Sequence, residues 1–282
     1  MITTQAPHLE GTFTGANHLQ LYYQAWCPVS TARAAIAIVH GFGEHCSRYG
    51  HVTEALTEAG YAVFGFDNQG HGRSEGQRGH IDRWQDYRQN VGAFLRQVRR
   101  HEPEIPLFVF GHSLGGLIVL DYALHAPEGL AGIIISGPPI RPVGIAKPYR
   151  VAIAKVLSGI LPRFSMDVGA GAETLTRDPA IVNQTEDDPL THSSATVRWG
   201  TECLVAIDSV RRNINRLQVP ILLLHGSADR VNDVAGSQEI FERMGAADKT
   251  LKIYPGSYHE PHNDLDRNVV LADVMEWLAQ RE

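Results

Sequence analysis

Apolar residues in this chain gather into short, nearly unbroken runs. The clearest are Ala35–Val39, Tyr61–Phe66, Leu107–Phe110, Gly132–Ser136, Ile221–Leu224 and Leu251–Tyr254. A run that is apolar at nearly every position suits a strand covered on both faces, as in a mostly parallel sheet. Between the runs, His51–Ala59, Trp84–Arg99, Leu114–His125, Val234–Met244 and Asn268–Leu278 carry apolar residues at helical spacing. Near the start, Thr12–Gly15 and Leu19–Trp26 flank Ala16-Asn17-His18 and predict an antiparallel hairpin at the sheet edge. Strand and helix in alternation predict a doubly wound α/β fold. The alternation breaks from Pro138 to Arg216, where helical patches and turn residues follow one another without a clear strand. That stretch is too long for a plain crossover, so residues 138–216 are expected to form an inserted, mainly helical subdomain. Residues 1–137 and 217–282 then make up the core.

Gly111-His112-Ser113-Leu114-Gly115 is a G-x-S-x-G pentapeptide set where the run Leu107–Phe110 meets the helix starting at Leu114. A sharp strand-to-helix turn would hold Ser113 in a strained, exposed position, and the flanking glycines would permit the close backbone approach. The pattern alone also fits an ordinary glycine-rich turn; its strand and helix context favours a nucleophile. A serine hydroxyl is a weak nucleophile and needs a base, which in turn needs an orienting acid. Around such a turn the chain order is serine, acid, histidine. Asp229 follows the run Ile221–Leu224, and His259 follows Leu251–Tyr254, so both are expected at the strand ends beside Ser113. Asp233 competes with Asp229, and His262 with His259. His40 and His225 read as structural, and His112 as pointing away from Ser113. The loop His40-Gly41-Phe42-Gly43-Glu44-His45 follows the first core strand, and the N–H groups of Phe42 and Leu114 are the expected oxyanion donors.

These blocks, with Asp67-Asn68-Gln69-Gly70-His71-Gly72-Arg73-Ser74-Glu75-Gly76, His225-Gly226-Ser227-Ala228-Asp229 and Tyr258-His259-Glu260, resemble the monoacylglycerol lipase and lysophospholipase branch of the α/β-hydrolase superfamily. The resemblance implies the α/β-hydrolase fold and hydrolysis of an ester, typically a monoacylglycerol, through an acyl-enzyme without a metal or cofactor. It also implies that residues 138–216 are a cap, or lid, over an acyl-chain pocket, with Asp187-Asp188-Pro189-Leu190 as one of its elements. A broad carboxylesterase, a lysophospholipase or an aminopeptidase shares the same nucleophile machinery. A non-catalytic lipid binder is the rival from another class, against which the ordered Ser, Asp and His set counts.

A net charge of −6 argues against nucleic acid as partner. Three widely spaced cysteines form no disulfide framework or metal-ligand spacing, which favours a reducing compartment. The stretch Met1–Glu10 is polar and lacks the features of a leader, and no apolar run reaches the roughly 18 residues that a membrane span needs. The expected location is cytoplasmic. From Arg141 to Arg163 the chain has five basic residues (Arg141, Lys147, Arg150, Lys155, Arg163) and no acidic one, with Val151, Ile153, Val156, Leu157, Ile160 and Leu161 interleaved. Such a helix could lie peripherally on an anionic lipid surface. Alternatively its apolar side packs over the active site and its basic residues are merely solvated.

Overall fold

The structure, a computed structural model, describes residues 8–144 and 148–282, with only the helical backbone described for 148–153. Residues 1–7, Lys147 and the side chains of Arg150, Val151 and Ile153 therefore lie outside the described part of the chain.

Eight strands form one sheet: β1 (His8–Thr14), β2 (Gln20–Trp26), β3 (Ala35–Val39), β4 (Ala62–Phe66), β5 (Leu107–His112), β6 (Gly132–Ser136), β9 (Ile221–Gly226) and β10 (Lys249–Tyr254). Two short strands, β7 (Ser165–Asp167) and β8 (Ser194–Thr196), pair separately. The main sheet runs in the order β1-β2-β4-β3-β5-β6-β9-β10, antiparallel at the β1-β2-β4 edge and parallel thereafter. The hairpin read from the sequence is this antiparallel edge. All five residues of β3, β4 and β6 are buried, as nearly unbroken apolar runs require.

Alternate side chains along these strands feed two cores. On one face, Ala37, Val39, Val109 and Ile135 meet α2 (Trp84–His101), α3 (Leu114–His125) and α6 (Val197–Asn213). On the other, Ile36, Ile38, Phe110 and Leu224 meet α1 (Gly50–Glu58) and α8 (Arg267–Ala279). Helix α3 is apolar nearly all round because it is wedged between the sheet and its neighbouring helices. Element ends differ from the sequence expectations by a few residues, chiefly where polar residues such as Lys249 and His225 extend a strand beyond its apolar run.

Between β6 and β9 lie α4 (Pro148–Ile160), α5 (Pro179–Asp187), α6 and the β7-β8 pair. The pair carried no sequence signal, since each strand is three residues long and the side chains of β7 are all exposed. Helix α6 is shared: Cys203, Ala206 and Val210 belong to the sheet's own core, while its first turns face the other inserted elements. Among the described residues no helix is long and apolar enough to cross a membrane.

Candidate active site

Four loops leaving the carboxyl ends of β3, β5, β9 and β10 converge, as expected for an open α/β sheet. Ser113 sits between β5 and α3 with φ 51° and ψ −117°. Holding a non-glycine residue in this left-handed region costs about 1–3 kcal/mol. Its N–H donates to the Ser136 carbonyl at 2.8 Å, and its own carbonyl accepts from Leu117 N–H at 3.1 Å. The turn fits only because its flanks lack side chains. A Cβ at Gly111 would lie 2.6 Å from the Gly115 carbonyl oxygen, and one at Gly115 only 2.0 Å from that of Val39. Gly115→Ala is therefore expected to cost about 3 kcal/mol or more in urea unfolding, because the obstacle is main chain at the sheet centre. A loss below about 1 kcal/mol would mean that the turn yields.

His259 follows β10 and is buried. Its Nε2 is 2.9 Å from Ser113 Oγ and its Nδ1 2.8 Å from Asp229 Oδ2. The Asp229 side chain is fully enclosed, and its Oδ1 accepts from the N–H groups of Val231 at 2.7 Å and Asn232 at 2.9 Å. A carboxylate beside Nδ1 places the ring proton there and leaves Nε2 free to accept from the serine hydroxyl. Burial pushes the His259 imidazole down, but the Asp229 charge and hydrogen bond, aided by Glu260 and Glu44, outweigh it and raise it above the usual value. For Asp229, burial pushes up, while His259 and His225 together hold the carboxyl well below its usual range.

The competing residues lie elsewhere. Asp233 caps α7 (Val234–Arg243), accepting from Ala235 N–H at 2.9 Å. His262 is buried with its ring stacked on Tyr49 at 5.2 Å, and burial is the main cause of its pKa falling to about 3. His40 donates through Nδ1 to the Gly41 carbonyl at 2.7 Å and accepts from Asn68 N–H at 2.8 Å. His112 turns its Nδ1 toward the Ser136 carbonyl at 3.2 Å, with its ring 4.8 Å from that of His259. His225 does more than fill space. Its Nε2 donates to the Asn232 carbonyl at 3.0 Å and lies 3.1 Å from Asp229 Oδ2, and its Nδ1 is 2.7 Å from the Ser237 hydroxyl, so a second imidazole stands beside the acid. The sequence had grouped His225 with Asp229 only as members of one motif block, with His225 read as structural.

Phe42 and Leu114 both line the cavity above Ser113, and neither N–H donates to a backbone or side-chain acceptor among the described residues. Leu114 opens α3, so its N–H is free by helix geometry. The loop carrying Phe42 is tied back by Glu44, whose Oε1 accepts from Gly41 N–H at 2.5 Å and from the Tyr49 hydroxyl at 2.9 Å. Arg48 donates to Glu44 at 2.6 Å, to Glu260 at 3.0 Å and to Thr185 of α5 at 2.9 Å. Burial alone would raise the Glu260 carboxyl; the Arg48 charge reverses this and holds it well below the usual range. Asp188 adds a further tie, accepting from His45 Nε2 at 2.7 Å. Glu44 and Glu260 stand in the sequence motifs without an assigned role and Arg48 in none; Arg48 is four positions from Glu44 but 212 from Glu260, so their joining could not be read locally.

The cavity has a volume of about 1000 Å³ and is walled largely by apolar side chains, among them Leu117, Val168, Leu175, Trp199 and Leu204. Among the described residues no group of three His, Cys, Asp or Glu is placed to hold a metal ion. A serine whose hydroxyl meets an imidazole held by a buried carboxylate, with two free N–H groups beside it, is equipped for acyl transfer.

The family model described as "Serine aminopeptidase, S33" matches residues 30–266. The chain is 32% identical to a monoacylglycerol lipase of Mycolicibacterium smegmatis, covering 96% of each protein. It is 35% identical to the monoglyceride lipase of Rattus norvegicus, covering 98% of this chain and 90% of that one. Among solved structures, the monoacylglycerol lipase of Paleococcus ferrophilus superposes with a TM-score of 0.84 at 33% identity, covering 93% of this chain and 99% of that one.

Proposed function

The chain belongs to the serine aminopeptidase S33 family of α/β-hydrolases, and from that premise we propose that it hydrolyses monoacylglycerols to fatty acid and glycerol through an acyl-enzyme. It is a carboxylic ester hydrolase. The observation that carries the proposal is the unbroken chain of hydrogen bonds from Ser113 through His259 to Asp229 at the floor of a large apolar cavity. His259 takes the proton of Ser113 as Oγ attacks the ester carbonyl, and Asp229 stabilises the resulting imidazolium. The N–H groups of Phe42 and Leu114 receive the oxyanion, each worth roughly 3 kcal/mol in the transition state. His259 then gives its proton to the leaving alkoxide, and water activated by the same imidazole releases the fatty acid. Residues 138–216 act as the cap, whose apolar wall takes the acyl chain.

The family's description leaves an amide-cleaving reading, which the apolar cavity does not favour. A hydrolysis panel separates them: monoacylglycerols of several lengths, triacylglycerol, lysophospholipid, p-nitrophenyl esters and a prolyl-amide peptide. Preference for monoacylglycerol is expected. Turnover of the peptide alone would replace the lipase reading, and turnover of short activated esters alone would reduce it to a general esterase.

Peripheral contact with a lipid surface is part of the proposal. It is favoured by exposure of Val156 at 62%, Ile160 at 70%, Leu161 at 53% and Phe164 at 55%, which leaves these side chains outside the cavity. Ala154, by contrast, lines the cavity, so α4 divides its apolar residues between the two roles. Lys155 and Arg163 are exposed beside the outer set. Co-sedimentation with vesicles is expected, weakening when anionic lipid is omitted. Binding that ignores lipid charge would rule out the electrostatic part.

A further inference from the structure

Glu44 pins the main chain of the Phe42 loop from one side, but the Phe42 ring is held by residues far away in the sequence. Trp199 lies 4.4 Å from it, centre to centre, with the planes 39° apart. His192 and His71 meet it edge-on at 5.4 and 5.6 Å. Trp199 and His192 flank the start of α6, and this segment also grips the loop's main chain. The His192 N–H donates to the Gly43 carbonyl at 2.9 Å, and a Cβ at Gly43 would lie 2.2 Å from the His192 carbonyl oxygen. Trp199 is itself fixed in place. Its indole N–H donates to the Tyr87 hydroxyl at 3.0 Å, and its main-chain N–H is taken by the capping Thr196 at 3.2 Å. Tyr87 is fully buried on α2. A continuous rigid path therefore runs from the core, through Tyr87 and Trp199, to Phe42.

We propose that Trp199, anchored by Tyr87, is a positioning residue that sets the Phe42 N–H for the oxyanion. The proposal rests on the serine-hydrolase reading of the site given above. Two physical facts make the position of Phe42 matter. A donor stabilises an oxyanion only within hydrogen-bond reach of where the charge develops. A displacement of about 1 Å in such a group costs on the order of 100-fold in rate. The ring and the N–H of Phe42 belong to one residue between two glycines; Glu44 holds the main chain at Gly41 and His192 holds it at Gly43, and the ring's contacts set the turn left to residue 42 itself. Trp199 also lines the acyl cavity, and the plainer role is that of a wall. The two roles change different kinetic constants. Losing a wall alters KM for long acyl chains; losing a positioned donor lowers kcat for every ester, including one too short to use the cavity.

The test compares wild type with Trp199→Ala, Trp199→Phe and Tyr87→Phe on p-nitrophenyl acetate and on a long-chain monoacylglycerol. Rates are expressed per serine titrated by a fluorophosphonate, so that misfolded protein does not count. In Trp199→Ala, kcat is expected to fall about 10- to 100-fold on both substrates, with KM within about threefold. Trp199→Phe should recover most of the loss. Tyr87→Phe, which removes one hydroxyl, should lower kcat by about three- to tenfold on both substrates. A Trp199→Ala enzyme within about twofold of wild type on the acetate, or a loss confined to long-chain KM, overturns the proposal. Should Trp199→Ala fail to fold, an unchanged kcat in Tyr87→Phe does the same. Either result leaves the serine reading standing, whereas a wild type that takes no fluorophosphonate removes both.

Discussion

Replacing Ser113 by alanine is expected to lower monoacylglycerol turnover by about 10⁴-fold or more while the protein stays folded. The two halves of this expectation have separate causes. The hydroxyl is the only group lost, and with it goes the nucleophile that the acyl-enzyme route requires. The fold loses one hydrogen bond, Ser113 Oγ to His259 Nε2, on the floor of a cavity where water can replace it. A solvated exchange of that kind costs under about 1 kcal/mol. The backbone strain at φ 51° is shared by serine and alanine, so the substitution neither adds nor relieves much of it. The measurement pairs hydrolysis rates with a thermal unfolding curve and fluorophosphonate labelling. Activity within about tenfold of wild type, in a folded and unlabelled variant, would place the nucleophile elsewhere.

Asp229→Asn should be nearly as damaging, with a drop of about 10⁴-fold in kcat, because the amide cannot serve all the partners of the carboxylate. Asp229 accepts from His259, Val231 and Asn232, with His225 also against it. An asparagine must aim its NH₂ at one of these donors, and if that donor is His259 the ring is forced into the wrong tautomer. The pH profile provides an independent check. His259 must be neutral to accept the serine proton, so kcat/KM of the wild type rises with pH through the His259 pKa and levels off above it. That pKa lies above the ordinary imidazole value, chiefly because the Asp229 charge overcomes burial. Asp229 itself titrates far below this window and adds no second limb within it. Removing its charge leaves burial unopposed by its main rival, so the limb should move to lower pH as the plateau falls. A limb that stays in place in Asp229→Asn would show that Asp229 is not what holds His259 up.

The parts of the site that could be read from the sequence share one property: each is written in neighbouring residues. The pentapeptide around Ser113 is legible because the glycines that make room for the turn stand two positions on either side of it. Strands β3, β4 and β6 are legible because burial on both faces leaves almost no polar position. The β7-β8 pair was not, since three exposed residues carry no period. The expectation of His259 over His262 rested only on its standing sooner after the strand. Both follow the same strand and differ by three positions in a loop, so only the path of that loop decides which ring meets Ser113 and which stacks on Tyr49.

Taken by itself, the sequence determined the layered α/β architecture and the room for the serine turn, since both follow from local periodicity and steric space; the expected order of serine, acid and histidine came from the chain order that accompanies such a turn. Tertiary structure decided where the competing residues go: Asp233 caps a helix and His262 stacks on Tyr49, while Asp229 and His259 stand where the sequence reading expected them. It also decided that His225 stands beside the acid, and that α4 turns part of its apolar surface outward. The joining of Glu44, Glu260 and Thr185 through Arg48 and the clamping of Phe42 by Trp199 belong to the same group. Each of these depends on groups brought together from distant parts of the chain, and local sequence encodes how a segment folds but not which remote side chain it will meet.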